Sequence, residues 1–429
     1  MMKNILVTCF LFLSFSAVSQ YKNVKIYENQ GERIGPCEPS IVVSPKDQNI
    51  MVAGAVLNRV GYSTDGGKTW TVNELTSQFG VWGDPCVIAD AEGRFYYFHL
   101  SDPTGKNWRS EEILDRIVCQ TSTDNGKTWS KGSTIGLNFD KDQDKEWAVV
   151  DPKTGNIYVT WTQFDKYNSK DKADQSNILF SRSTDQGRSW NTPVAINKIP
   201  GDCLDDDETT EGAVPTVGPN GEIYVAWSLN EKLYFDKSED GGKTWLEEDI
   251  EVAEHHNGWA INIPGLNRTN GFPVTACDLS DGKHKGTIYI NWADQKNGED
   301  DTDIWLSKST DGGKTWSERI RVNNDKGKAQ QFLTWMSVDP MTGIIYIVFY
   351  DQRGLENGQT DVYLAYSKNG GKSFKNVKIS ESPFGLDEKV FFGDYNNISA
   401  YNGVVRPIWT RLEDGKLSVW TALIDMKKK

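Results

Sequence analysis

Histidine is scarce in this chain, four in 429 residues, and neither a Cys-x-x-Cys pair nor a His-rich run accompanies it, which argues against a zinc centre. Long apolar stretches are missing beyond residues 5–15, and that run is too short to span a bilayer as an anchor. Positive charge is in the minority, 47 Lys and Arg against 60 Asp and Glu, and no basic cluster occurs except the lysines at 427–429. A net charge of −13 therefore argues against nucleic acid or an anionic membrane surface as a partner. Apolar residues are also few, at 37%. What the chain has in quantity is aromatic rings, 11% of residues with 16 Trp, which suits many thin layers packed by large side chains better than one thick core.

The first residues read as a targeting segment. Lys3 gives a positive start, residues 5–15 are largely apolar, and Ala17-Val18-Ser19 places small residues ahead of Gln20. This predicts a signal peptide over 1–19, a single mature domain over 20–429, and an exported protein, periplasmic or extracellular, without a transmembrane segment. Past Cys9, five cysteines remain: Cys37, Cys86, Cys119, Cys203 and Cys277. Export permits disulfides, and the odd number leaves at least one free thiol or an intermolecular bridge. Cys37 with Cys86, then Cys203 with Cys277, are the preferred pairings.

One short phrase recurs six times: Ser, Asp two residues on, Gly two further, then Thr or Ser and an aromatic. The copies occupy 63–70, 122–129, 183–190, 238–245, 309–316 and 367–374. Their third positions, Asp65, Asp124, Asp185, Asp240, Asp311 and Asn369, lie 59, 61, 55, 71 and 58 residues apart. Such a period marks a repeat architecture, and a β-rich unit repeated around a ring is a propeller. The phrase itself is turn chemistry. Asp, Asn and Gly tolerate left-handed backbone, the carboxylate accepts local N–H groups, and the aromatic packs beneath. It is expected to cap a hairpin and to carry no chemistry.

This phrase is the Asp-box, or BNR repeat, and the chain resembles the sialidase superfamily of propeller proteins over roughly residues 37–380. The resemblance is specific for fold and much less so for activity, because Asp-boxes occur in proteins of many roles. Counting strand signals gives four per unit: in the third unit, 147–150, 157–161, 177–181 and a strand begun by Trp190. After the sixth box come three more strand signals, at 397–401, 404–409 and 417–423, while 22–27 is a strand with no unit of its own. The two remnants make a seventh blade if the N-terminal strand closes the ring. An all-β propeller of seven four-stranded blades is thus favoured, with six blades, the number in catalytic sialidases, as the alternative.

In a propeller the loops entering the innermost strands build a funnel where ligands bind. The residues that stand there are Arg33, Glu38, Asp84, Asp144, Glu146, Glu211, Arg268, Trp335, Asp394 and Tyr395, with Arg353 following a neighbouring strand. Carboxylates, arginines and rings in one funnel suit a sugar. The resemblance implies three arginines holding a substrate carboxylate, a Tyr nucleophile activated by a Glu, and an Asp acid/base. Carried onto this chain, those parts fall to Arg33, Arg268 and Arg353, to Tyr395 with Glu211, and to Asp84; Glu38, Glu146, Trp335 and Asp394 would line the substrate. Arg33-Ile34-Gly35-Pro36 departs from the family's Arg-Ile-Pro motif. The alternation Asp140, Asp142, Asp144 resembles a calcium loop without its glycine, and the acids at 202, 205–208 form a second cluster; calcium is the one cofactor considered. His255 and His256 read as solvated surface. The leading reading is a secreted, monomeric, sialidase-like glycoside hydrolase for terminal acidic sugars. A non-catalytic propeller binding glycan or protein, and another acidic-polysaccharide hydrolase or lyase, are its rivals.

Overall fold

The computed structural model describes residues 21–426; the segment at 1–19 expected to be a signal peptide and the lysines at 427–429 lie outside them. Seven antiparallel sheets follow one another around a ring. The innermost strands are Ser40–Val43, Cys86–Ala89, Asp142–Val150, Glu211–Val217, Val274–Cys277, Gln331–Val338 and Asn397–Tyr401. Each contacts the next, and the seventh contacts the first, so the ring is closed. The expected closure is present. Asn23–Glu28 pairs antiparallel with Lys416–Ala422, from Asn23 opposite Ala422 to Glu28 opposite Ser418. It supplies the outer strand that the seventh blade lacks, and Ile424–Asp425 adds a short extra pairing to Val404 and Val405. Among the described residues no helix is long and apolar enough to cross a membrane.

The second strands explain the wealth of aromatics. Ile157–Phe164, Ile223–Leu229, Ile288–Asp294 and Ile345–Asp351 are covered by sheets on both faces, so they read as nearly continuous apolar runs. Trp161, Trp227, Trp292 and Trp409 are fully buried between blades.

The repeated phrase works as expected locally and also does more. In the third copy Ser189 Oγ donates to Asp185 Oδ2 at 2.6 Å, and the backbone N–H groups of Arg188 and Ser189 donate to Oδ1 at 3.1 and 3.0 Å. These bonds, led by the one from Ser189, lower the Asp185 pKa to about 2. The second glycine then meets the preceding blade. At Gly242, with φ near +81°, a Cβ would stand 2.1 Å from the Phe180 ring, and at Gly313 2.3 Å from Phe235. The aromatic of each box is half-buried, not fully buried as expected, because it lies along the seam on the rim. Trp245 meets Phe180 edge-on at 5.0 Å and Trp316 meets Phe235 at 5.0 Å. A cation from the preceding blade caps the turn: Lys308 Nζ donates to Gly370 O at 2.6 Å, and Arg182 reaches Gly241 O. At the closure Arg406 does the same, its Nε and NH2 donating to Gly66 O at 3.1 and 2.9 Å. Arg406 thus packs between blades, as its place in a strand suggests.

Two other expectations change. All five described cysteines are free, buried thiols, so neither preferred disulfide exists. His255 is buried, paired with Ser228 Oγ at 2.9 Å and Ala293 O at 3.1 Å, because its loop folds inward over blade 5.

Replacing Asp185 with Ala should lower stability by about 1–2 kcal/mol, the size of a lost cap, as read from urea melts. Deleting residues 21–28 leaves the Lys416–Ala422 edge open, and the expected outcome is a broadened, non-coincident thermal transition by fluorescence and circular dichroism.

Candidate functional site

The innermost strands do not start alike, and the difference aims the site. At the start of three of them the chain inserts a β-bulge, between Asp144 and Trp147, Glu211 and Val214, and Phe332 and Trp335. Backbone with positive φ recurs at these strand entrances: Glu38 at 49°, Asp84 at 50°, Lys145 at 52°, Gly212 at 81° and Leu333 at 46°. A left-handed residue turns its side chain out of the strand's alternation, which is how bulges re-aim side chains. Glycine tolerates that backbone freely, but Glu38, Asp84 and Lys145 adopt it at a cost of order 1–3 kcal/mol each, and such strain gathers at functional sites. All three of these residues line one cavity of about 750 Å³.

The cavity has a charged floor and an aromatic side. On the floor, Arg268 Nε donates to Asp394 Oδ1 at 2.8 Å and its NH1 to Asp205 Oδ2 at 2.8 Å. Lys145 Nζ lies 3.1 Å from Asp144 Oδ2 and 3.5 Å from Asp394 Oδ2. Burial would discharge the Lys145 ammonium, but the carboxylates around it, Asp144 first and then Asp205 and Asp394, hold its pKa well above the usual lysine value. Burial would likewise raise Asp205, yet Lys145 and Arg268 overcome it and hold that carboxyl below the usual value. Tyr167 Oη and Trp259 Nε1 donate to the same Asp205, at 2.6 and 3.2 Å.

Other carboxyls on and under this floor lack such cations and are pushed the other way. Burial, then the charge of Asp394, raises Glu38 to about 7, while the Asp394 N–H donates to Glu38 Oε1 at 3.0 Å. Burial, then Glu38 and Asp144, lifts Asp84 well above the aspartate range. Glu146 and Glu211, both wholly buried, are raised well above the usual value, chiefly by burial. The charge of Asp205 adds to burial at Glu211, and both favour its protonated form.

On the aromatic side stand Trp82, Trp108 and Tyr167. Trp108 stacks on Tyr167 with ring centres 5.4 Å apart and meets Trp82 edge-on at 6.3 Å. Arg33 and Lys389 line the cavity from exposed positions and enter no ion pair among the described residues.

Of the residues expected here, Arg33, Glu38, Asp84, Asp144, Arg268 and Asp394 line the cavity. Glu146, Glu211, Trp335 and Tyr395 lie buried and outside its lining. The Tyr395 ring packs edge-on against Trp147 at 4.7 Å and tilted against Trp335 at 6.1 Å. Its hydroxyl has no hydrogen-bond partner, so the expected pairing with Glu211 is absent. Burial, then Asp84, Glu38 and Glu146, holds the phenol protonated far above its usual pKa. Arg353 is placed elsewhere. Its Nε donates to Asp351 Oδ2 at 2.7 Å, NH1 to Asn324 at 2.7 Å, and the guanidinium lies 4.5 Å over the Tyr363 ring. A nearer carboxylate satisfies it, and the three arginines do not converge.

The acids expected for calcium are not gathered either. Asp140 is exposed, Asp142 accepts the Tyr167 N–H at 2.8 Å, and Asp144 is engaged with Lys145. Among the described residues no group of three or more His, Cys, Asp or Glu is placed to hold a metal ion. In the second acidic cluster Asp205 serves the floor, and Asp207 caps the Trp259 N–H at 2.6 Å. Sequence reading missed Lys145, Asp205, Tyr167 and the two tryptophans. A Trp inside the polar stretch Gly105-Lys-Asn-Trp108-Arg-Ser was the available signal for Trp108, since no strand pattern there would bury it.

Known proteins share the repeat and the fold of this chain. The BNR/Asp-box repeat family matches residues 62–72 and 120–131. A sialidase of Bacteroides fragilis is 26% identical over 312 residues, covering 66% of this chain and 52% of that one. A sialidase of Micromonospora viridifaciens is 26% identical over 161 residues, 36% of this chain and 22% of that protein. The chain thus spans about half the length of the first relative and less of the second. Among solved structures, an ulvan lyase described as a new family of polysaccharide lyase superposes with a TM-score of 0.56 at 12% identity, covering 94% of this chain and 96% of that one. At that identity the likeness is one of fold. The chain thus carries BNR/Asp-box repeats on a seven-bladed propeller and is similar in sequence to sialidases.

Proposed function

We propose that this protein is a sialidase-like glycoside hydrolase, exported by its first 19 residues, that cleaves a terminal acidic sugar from a glycan. The observation that carries this reading is a proton-bearing carboxyl, Glu38, on the floor of a funnel with an aromatic side and unpaired cations. Arg33 and Lys389, free of protein carboxylates, take the sugar's anionic group. Arg268 and Lys145, already neutralised, fix the floor. With a pKa of about 7, Glu38 is half protonated at neutral pH and serves as the general acid that protonates the departing glycosidic oxygen. As the alcohol leaves, water adds to the anomeric carbon and gives its proton to the Glu38 carboxylate just formed, and Asp84 beside it completes the acidic pair. Tyr395 keeps its proton and supports Trp147 and Trp335 beneath the floor. The separation of Arg353 from the funnel favours a second reading, a glycan-binding propeller that does not cleave.

Turnover of fluorogenic glycosides of sialic and glucuronic acids, with calorimetric binding of the same sugars, decides between them. Glu38→Gln should cut turnover by about 100-fold or more while leaving binding in place. Binding by the native protein without turnover on any of these substrates gives the second reading; neither binding nor turnover refutes both. The rate of the native enzyme should fall as pH rises through about 7, because the reactive form of Glu38 is the acid.

The same proton affects folding. Below about pH 4.5 this carboxyl is protonated in both the folded and unfolded chain. Between there and about 7 the unfolded chain ionises first, so folding loses up to roughly 3 kcal/mol from this group as pH rises. Gln cannot ionise. The melting temperature of Glu38→Gln relative to the native protein should therefore increase from pH 5 to pH 8, and a constant difference would contradict the assignment.

A further inference from the structure

Trp108 is a folding anomaly. It sits on the short 3-10 turn Asn107–Arg109, no residue of which is buried, and is 55% exposed. A ring of that size left in water gives up a large burial gain, and Trp is among the residues that bury most area. The turn belongs to the connection at 101–116 between the second and third strands of blade 2. The same connection takes only 56–58 in blade 1 and 230–231 in blade 4. The insertion is held firmly: Asn107 N–H donates to Asp102 Oδ2 at 3.0 Å and Ser101 Oγ to Asp115 Oδ1 at 2.9 Å. Tyr167 comes from the corresponding connection of blade 3 and is pinned by its bond to Asp205. Two insertions, from neighbouring blades, thus bring Trp108 and Tyr167 into a stack, and Trp82 extends it.

These rings and the acidic pair share one cavity. Its volume, about 750 Å³, is well above what one sugar ring fills and lies within the range of sites for larger ligands. The floor is polar and charged, whereas this side offers apolar faces with the Tyr167 hydroxyl already committed. A pyranose has the matching character, with an apolar face to lie on a ring and hydroxyls at its edge.

We propose that Trp82, Trp108 and Tyr167 form a second sugar subsite, which receives the sugar next to the acidic one, so that the ligand is an oligosaccharide of at least two units ending in an acidic sugar. This rests on the reading of the funnel as a site for acidic glycans and adds the length and the leaving sugar to it. Trp108 is the specificity-determining residue of the subsite, since it is the exposed ring of the three.

The test is calorimetric binding of uncleavable thio-linked ligands: the methyl glycosides of sialic and glucuronic acids against their di- and trisaccharides. In the native protein affinity should rise by about tenfold from one sugar to two, the scale of one stacked ring. Trp108→Ala should remove that gain and leave the affinity for the methyl glycosides unchanged, and Trp108→Phe should restore part of it. The melting temperature of Trp108→Ala should stay close to that of the native protein, because the side chain is more than half exposed and loses only its contacts with Tyr167 and Trp82. Equal affinity for one and two sugars in the native protein, or equal loss on both in Trp108→Ala, overturns the subsite while the acidic-glycan reading stands. Binding of none of these ligands overturns both.

Discussion

Everything in this molecule depends on one strand pairing, between Asn23–Glu28 and Lys416–Ala422. A propeller has no core in the ordinary sense; each blade is covered only by its two neighbours. If the ring opens, two blades lose a partner and the funnel loses its geometry, because its residues come from the two ends of the chain. Glu38 receives a hydrogen bond from Asp394, and Arg268 holds Asp394 from the middle of the sequence. The closure is reinforced where Arg406 caps the turn of the first Asp-box, the role that Arg182 and Lys308 play at ordinary seams. The closing seam therefore repeats the chemistry of the internal ones.

Within the closed ring, the site is an exercise in uneven charge. Lys145 and Arg268 are concentrated on Asp144, Asp205 and Asp394, which leaves Glu38, Asp84, Glu146 and Glu211 without a cation of their own. In a buried setting a carboxyl in that position keeps its proton. The floor thus separates into ionised pairs that fix geometry and protonated acids available for transfer. Only Glu38 and Asp84 among those acids line the cavity, which is why the chemistry is assigned there.

The fold was legible because its signal is local. Ser183, Asp185, Gly187 and Ser189 bond to one another within one turn, so the phrase can be read without tertiary information, and the leftover strands at the two ends could then be counted. Strand entrances were legible for the same reason: the repeat gives their order, and Glu38, Asp84, Arg268 and Asp394 were found that way. Orientation was not legible. At Lys145 the left-handed turn and bulge shift the alternation, so Lys145 faces the cavity and Glu146 beside it does not. Tyr395 was placed at an entrance but packs inward on Trp147, and Arg353 is captured by Asp351 two residues away. Asp205 looked like a solvated acid because its cation, Arg268, is distant in sequence.

The central claim is that the funnel receives an acidic sugar against Arg33 and Lys389, above Glu38. Crystals soaked with an uncleavable acidic disaccharide test it most directly. The account predicts difference density inside the cavity, with the anionic group at these two cations, the linkage oxygen within hydrogen-bond distance of Glu38, and the second ring on Trp108. Ligand density elsewhere on the propeller, or a funnel that stays free of sugar at saturating concentration, would contradict it.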